Sequence, residues 1–272
     1  MLKVTDVKKT FFKGTVNEKK AIRGISLTLN DGDFCTVIGS NGAGKSTLLN
    51  LIAGALIPDE GLIEIDGKDV TRMPEYKRAK YIGRVFQDPM KGTAAGMQLQ
   101  ENLMLADRRG LCHRLRWAFT PSREQYYQNL VARLGLGLEN RMTARIGLFS
   151  GGQRQAVTLL MATMRRPEVL LLDEPTAALD PKTAETVLNL VNQIVTEQKL
   201  TTLMITHNMR EDVYKRQDYI IDLGPEGGDR GGEIVAVGTP EDICREKKSY
   251  TGQYLRIVMD RTKKFMEREK HD

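Results

Sequence analysis

Nowhere in its 272 residues does the chain hold an apolar run long enough to cross a bilayer. The longest, such as Val169 to Leu172 and Leu203 to Ile205, fall far short of the roughly 20 residues a membrane-spanning helix requires. The amino terminus, Met1-Leu2-Lys3-Val4-Thr5-Asp6, lacks the apolar stretch and small-residue cleavage site of a secretory signal, so a cytoplasmic chain is expected. Cysteine is scarce: Cys35, Cys112 and Cys244 stand apart without paired spacing, which supports neither a disulfide framework nor a zinc site. Internal repeats and low-complexity tracts are missing as well. The formal charge of +6 would suit nucleic acid or an anionic membrane surface, but basic and acidic residues interleave along the chain, as on a solvated surface. A modest basic excess at Arg108 to Arg116 and Arg261 to Lys270 is where lipid head groups would be met.

What is present is ordinary globular material, 40% hydrophobic and 28% charged, enough for one large domain or two small ones. Residues 1 to 70 read as short strands, Leu2 to Val7, Ile25 to Leu29, Phe34 to Ile38 and Leu62 to Ile65, bounded by Gly, Asp and Asn. Asn30-Asp31-Gly32-Asp33 predicts a hairpin-like reversal. From about 72 to 145 the pattern turns longer, polar and mostly helical, as in Glu124 to Leu134, which suggests an inserted helical subdomain. Helix (151 to 165), strand (169 to 172), helix (182 to 197) and strand (201 to 205) then alternate, implying crossovers and a parallel sheet.

Between the strand Phe34 to Ile38 and the helix-favouring Ser46 to Ala53 lies Gly39-Ser40-Asn41-Gly42-Ala43-Gly44-Lys45-Ser46. It fits G-x-x-x-x-G-K-[ST], in which backbone N–H groups wrap phosphates, the lysine neutralises them and the hydroxyl reaches Mg²⁺. The helix that follows points its partial positive end at the anion. A nucleoside triphosphate, ATP or GTP, is the expected ligand. Val169-Leu170-Leu171-Leu172 is a buried-strand pattern that ends in Asp173-Glu174. Alone it would be a plain strand exit. Downstream of a phosphate loop it delivers Asp173 for Mg²⁺, through water, and Glu174 to polarise the attacking water, a general-base role contributing roughly 10²–10⁴-fold in rate.

Phe149-Ser150-Gly151-Gly152-Gln153-Arg154-Gln155 resembles the signature sequence of ABC ATPases, and Asp173-Glu174-Pro175-Thr176-Ala177-Ala178-Leu179-Asp180 resembles their Walker B and D-loop. The resemblance implies an α/β fold, a P-loop NTPase of ABC ATPase type, with a mixed-sheet core, an antiparallel β subdomain and an inserted helical subdomain (about 72–165). Physically, Ser150-Gly151-Gly152 opening a helix is either a helix cap or a second anion cradle. In the family it closes on the γ-phosphate held by another subunit, so two chains sandwich two nucleotides and catalysis implies a dimer. Gln87 resembles the Q-loop glutamine that touches Mg²⁺ and the nucleophilic water, though alone it reads equally as a loop amide. His207 resembles the switch histidine that contacts the γ-phosphate; alone it reads as a helix-start residue. Phe11 matches the aromatic position that stacks on adenine, and it could equally be buried in a strand. The implied nucleotide-binding set is thus Phe11, Gly39, Ser40, Asn41, Gly42, Ala43, Gly44, Lys45, Ser46, Thr47, Gln87, Ser150, Gly151, Gly152 and Gln153. Ser46, Gln87 and Asp173 are expected at Mg²⁺, and Glu174, His207, Gln87 and Lys45 are the expected catalytic residues. Three departures stand out, Phe149 for leucine, Ala177 for serine and Phe11 for tyrosine, and none removes a catalytic group.

Gly14 to Glu18, Pro89 to Ala94 and Leu160 to Met164 are similar to ATPases of amino-acid-type importers, which work with transmembrane permease subunits and a separate solute-binding protein. This resemblance covers about residues 1–211. Residues 218–272 instead resemble the C-terminal end of the damage-recognition ABC ATPase of bacterial excision repair, and Asp212-Val213-Tyr214-Lys215-Arg216-Gln217 resembles a translated transposon-end adapter. An artificial join at 212–217 is one reading. Natural variation is the other, with Tyr219 to Leu223 and Glu233 to Val237 as two edge strands joined by a glycine-rich turn. Gly227-Gly228-Asp229-Arg230-Gly231-Gly232 lacks the Lys-Ser of a phosphate loop and reads as a turn. The expected function is a transport motor at the cytoplasmic face of the membrane. A DNA-repair ATPase is the alternative; a single phosphate loop and the lack of paired-cysteine modules stand against it, and no direct nucleic-acid partner is expected. A non-catalytic regulatory protein would not need Lys45, Asp173, Glu174 and His207 together.

Overall fold

In the first strand apolar and polar residues alternate, so Leu2, Val4 and Val7 are buried while Lys3, Thr5 and Asp6 face water. The computed structural model describes residues 1–111, 120–206, 218–224 and 231–256, and the chain divides into two compact units: residues 1–72 with 203–272, and residues 73–202.

In the first unit, β1 (Leu2–Phe11) pairs antiparallel with both β2 (Lys19–Leu29) and β4 (Glu60–Ile65), and β5 (Lys68–Asp69) extends the sheet beyond β4. The strand β3 (Phe34–Gly39) belongs elsewhere. Phe34 through Ile38 are all buried, and β3 pairs parallel with β9 (Tyr219–Gly224) in the register Cys35↔Tyr219 to Gly39↔Leu223. On the other side of β9 lies β10 (Glu233–Gly238), antiparallel. The mixed sheet and the separate antiparallel sheet agree with the fold class that the sequence implied.

Two expectations need correcting. Asn30 to Asp33 does reverse the chain, with Asp33 N–H donating to Asn30 O at 3.2 Å and Asn30 N–H to Asp33 Oδ2 at 2.7 Å. It is no hairpin, however, because β2 and β3 lie in different sheets; turn chemistry fixes the reversal and not the pairing partner. Likewise β9 is not an edge strand, since it is paired on both sides, and only β10 has an open side. The helix α1 (Lys45–Ala53) follows β3 and stops at Gly54, whose N–H caps Asn50 O and Leu51 O.

In the second unit, β6 (Ile82–Val85) and β7 (Val169–Asp173) are parallel, in register from Ile82↔Val169 to Val85↔Leu172. Val169 to Leu172 are wholly excluded from water, about 1.5–3 kcal/mol of apolar burial for each side chain. The helices are α2 (Glu75–Arg78), α3 (Leu99–Asp107), α4 (Pro121–Ala132), α5 (Gly151–Thr163) and α6 (Pro181–Gln198). Pro121 and Pro181 sit in the first turns of α4 and α6, where a missing N–H costs nothing. The helical stretch expected at 72 to 145 is less continuous than its pattern suggested, with β6 and the irregular residues 86–98 between α2 and α3. The strand β8 (Thr201–Ile205), buried throughout, falls where the chain passes from the second unit to the first. Among the described residues no helix is long and apolar enough to cross a membrane. Cys35 is a buried free thiol, and Cys112 lies outside the described residues.

The last described segment is pinned to β9 by a buried polar cluster. After α7 (Pro240–Arg245), Ser249 Oγ donates to Asp222 Oδ2 at 2.6 Å and Thr251 Oγ1 to Asp222 Oδ1 at 2.9 Å. Ile38, Ile220, Ile243 and Leu255 form an apolar cluster in the same unit. Asp222 is only 4% exposed, and burial pushes its carboxyl above the ordinary range, opposed by the two hydroxyl donors. A raised native pKa means that the folded chain holds this proton to higher pH than the unfolded one. The Asp222 contribution to stability is therefore greatest below the ordinary aspartate value of ~3.9 and falls as pH rises through the native pKa. In urea unfolding from acid to neutral pH, wild type should lose ground against Asp222→Asn as pH rises above that value; a difference that grows in wild type's favour would contradict this.

Candidate active site

Where β3 runs out at Gly39, the chain turns through Ser40, Asn41 and Gly42 and enters α1 at Lys45. Ala43 N–H donates to Ser40 O at 3.1 Å. Lys45 is 5% exposed and folds back along the loop, its Nζ donating to Gly39 O at 2.7 Å and Ser40 O at 2.9 Å. No side chain caps the first turn of α1, so that turn presents backbone N–H groups and the positive end of the helix dipole. Ser46 lies exposed there and Thr47 half-buried.

The loop is held from behind by the tail. A Cβ on Gly39 would sit 2.3 Å from Leu223 O. Gly232 N–H donates to Ala43 O at 3.1 Å, and its carbonyl accepts from Arg23 N–H at 2.8 Å. At φ +86° Gly232 occupies left-handed backbone, and a Cβ there would meet Ala21 O at 2.6 Å. Reading the sequence as a turn at 227–232 missed this contact, and no local signal could have given it; residues 227–230 lie outside the described residues. Phe11, at the end of β1, is half-buried, with Lys9 Nζ 6.0 Å from its ring centroid. Its neighbour Phe12 is 70% exposed at φ 53° and is an aromatic candidate that the sequence reading did not weigh.

In the second unit, β7 carries Asp173 to its end, and Glu174 steps into left-handed backbone at φ 44°. That conformation costs a residue with a Cβ roughly 1–2 kcal/mol and recurs at functional sites. Because β6 and β7 run parallel with Val85 beside Leu172, the residues just beyond both strands leave at the same end. Gln87 and Glu174 meet there, Gln87 Nε2 donating to Glu174 Oε2 at 3.3 Å. Below them Arg84 lies 3.9 Å from Asp173 and 3.7 Å from Glu75, stacked 4.4 Å from the Phe86 ring centroid. Burial lowers the Arg84 pKa, and the Asp173 and Glu75 charges oppose that shift. After Glu174 the chain turns, Ala177 N–H donating to Glu174 O at 3.1 Å, and Asp180 caps α6 by accepting from Thr183 N–H at 3.1 Å. The hydrogen bonds from Thr183 hold the Asp180 carboxyl below its ordinary range.

The segment Ser150 to Gln153 takes the form of a capped helix start. Ser150 Oγ accepts from Gln153 N–H at 3.3 Å and Gln153 Oε1 from Ser150 N–H at 3.1 Å, a reciprocal capping box. The Ser150 hydroxyl, exposed and used here as an acceptor, keeps its O–H as a donor. Gly152 is glycine for packing: a Cβ there would stand 2.0 Å from Thr183 Cγ2, so α5 meets α6 at this point. His207 lies outside the described residues.

Against known proteins, the ABC transporter family model matches residues 22–177, more than half of the chain, from within β2 past Glu174. The chain is 40% identical over 210 residues to the tyrosine transport ATP-binding protein of Clostridioides difficile (strain R20291), a match covering 77% of this chain and 83% of that protein. It is 38% identical over 186 residues to the thiamine import ATP-binding protein ThiQ of Escherichia coli (strain K12), covering 68% and 75%. Among solved structures it resembles the dimeric post-hydrolysis state of the ATP-binding cassette MJ0796 bound to ADP and Pi, with a TM-score of 0.71 and 27% identity over 88% of this chain and 98% of that one. None of these three is named as a repair protein, and the excision-repair alternative gains no support from them. The chain belongs to the ABC transporter family, as an ATP-hydrolysing, ATP-binding subunit of such a transporter.

Proposed function

We propose that this chain powers import of an amino-acid-like solute, with Glu174 as the base that activates water and Lys45 as the cation on the nucleotide phosphates. The observation that carries this reading is the Gln87–Glu174 hydrogen bond of 3.3 Å beside Asp173: an amide and two carboxylates converge where the parallel strands end. Mg²⁺ suits the donors available. Ser46 hydroxyl, Gln87 Oε1 and Asp173 carboxylate are hard oxygen ligands, and among the described residues no cluster of three or more His, Cys, Asp or Glu could hold a metal alone. Bound there, Mg²⁺ would neutralise charge on the phosphoryl oxygens. Phe11 stacks on adenine, the backbone of Gly39 to Thr47 takes the phosphates, and His207 contacts the γ-phosphate. Ser150, Gly151, Gly152 and Gln153 serve the nucleotide of a second copy, as the dimeric state of MJ0796 suggests.

The partners are a second ATP-binding subunit, transmembrane permease subunits and a solute-binding protein, with the dimer peripheral at the cytoplasmic face. The tyrosine transport relative supports the amino-acid reading. Residues 1–211 form the ATP-binding domain, with the helical subdomain at about 72–165, and 218–272 are a tail from a related ABC ATPase joined artificially at 212–217. A tail from the same fold would supply β9 and β10 where the cassette needs them, which is how such a join could leave the fold intact. Sequencing the source DNA across the codons for Ile205 to Pro225 tests this; an uninterrupted natural gene overturns the join and leaves the motor unaffected.

Glu174→Gln should bind ATP normally, lose roughly 10²–10⁴-fold in steady-state hydrolysis and elute as a nucleotide-trapped dimer in size-exclusion chromatography. Normal turnover would sink the general-base role. Lys45→Ala should weaken ATP at least about tenfold, about 1.4 kcal/mol, by fluorescent-nucleotide titration; unchanged affinity contradicts the phosphate role. A third test concerns the tail. Gly232 and Gly32 share φ +86°, but only a Cβ on Gly232 would meet a neighbour. Gly32→Ala should cost about 1 kcal/mol of stability, whereas Gly232→Ala should cost more and should also weaken nucleotide binding several-fold. Equal affinities in the two variants would deny the tail a part in shaping the loop.

A further inference from the structure

Gln155, on α5, is wholly excluded from water. Its Nε2 donates to Phe86 O at 3.1 Å, the carbonyl immediately before Gln87, while its Oε1 is buried without a hydrogen-bond partner. An unsatisfied buried acceptor is destabilising, and an apolar residue of the same size would avoid that cost. Its neighbours on α5 touch the same segment. Arg154 contacts Met90 Sδ at 2.9 Å, and Thr158 lies so close to Gly92 that a Cβ there would be 2.5 Å from Thr158 Cγ2. At the far end Asn102, buried on α3, holds Ala94 from both sides, accepting from its N–H at 2.8 Å and donating to its carbonyl at 3.2 Å. Residues 86–94 are therefore strung between α5 and α3, and their first anchor is the Gln155 amide.

The same helix carries Ser150, Gly151 and Gly152 at its start. A rigid helix that shifts at its N-terminus moves Gln155 with it, and with Gln155 the Phe86 carbonyl. We infer that Gln155 is a positioning residue that couples the Ser150 end of α5 to Gln87, so that engagement of the Ser150 segment sets the Gln87 amide, and through it the Glu174 carboxylate. This inference rests on the catalytic reading of Gln87 and Glu174, and goes beyond it in naming how their placement depends on a distant helix end.

A double-mutant cycle on the full chain separates the two. Gln155→Met replaces the amide by an apolar side chain of similar size, Gln87→Ala removes the group it is held to act through, and both are combined. Each single variant should lower kcat about tenfold with ATP affinity held within about twofold, and the double variant should be no slower than Gln87→Ala alone. A packing role would instead lower the unfolding temperature and leave kcat effects multiplicative, which overturns the inference, as does a wild-type kcat in Gln155→Met. Wild-type kcat in Gln87→Ala would sink the parent reading and this coupling together. Should Gln155→Met fail to fold, hydrogen exchange of the wild-type chain decides. ATP-dependent protection at residues 150–154 must be matched by a change at 86–89, and protection of the first without change in the second refutes the coupling.

Discussion

A loop that offers its backbone N–H groups to a polyanion can carry almost no side chains on the surface it presents, so its shape has to be imposed from behind. That constraint organises the first unit. Phe34 to Ile38 run fully buried into the loop, Leu223 O closes on Gly39, and Gly232 ties Ala43 to Arg23 through its own N–H and carbonyl. Lys45, the one cation in the loop, is bent back on the carbonyls of Gly39 and Ser40, which keeps an ammonium ready without burying it unpaired. The strands β9 and β10 come from far along the chain, and they serve the loop as directly as the residues next to it.

The second unit handles a different difficulty, holding two adjacent carboxylates in place where a buried strand ends. Glu174 is turned out of β7 by a backbone conformation that residues with a Cβ avoid, and a strained turn persists only when its surroundings over-determine it. Here those surroundings are the buried run Val169 to Leu172 on one side and the Asp180 cap of α6 on the other. Arg84 pairs with Asp173 at 3.9 Å and with Glu75 at 3.7 Å and stacks on Phe86, so one guanidinium is divided between two carboxylates. Gln87 meets Glu174 through a neutral amide, its Nε2 donating to the carboxylate at 3.3 Å.

Much of this was legible in the sequence because it is local. Alternation marked β1, glycine spacing marked the phosphate loop, and an apolar run ending in two acids marked β7. Ser150 was foreseen both as a cap and as an anion cradle, and the fold displays the cap. What escaped was set by partners distant in sequence. Turn residues at Asn30 to Asp33 announced a reversal but not that β3 would leave for another sheet. Nothing near Tyr219 could say that β9 would be paired on both sides. Gly152 reads in sequence as part of an anion cradle, yet its lack of a side chain is required by Thr183 on α6. Gly232, Gln155 and the Asp222, Ser249 and Thr251 cluster are likewise single residues whose meaning appears only once another element is brought against them.

The central claim is that the glycine loop of one copy and the Ser150 segment of another close on the same nucleotide. Orthovanadate tests it most directly, because vanadate trapped with Mg-ADP in place of the γ-phosphate cleaves neighbouring backbone under near-ultraviolet light. Mass spectrometry of the fragments should find cuts both within Gly39 to Ser46 and within Ser150 to Gly152. Cleavage confined to the glycine loop, under conditions where ATP is being hydrolysed, would contradict the account.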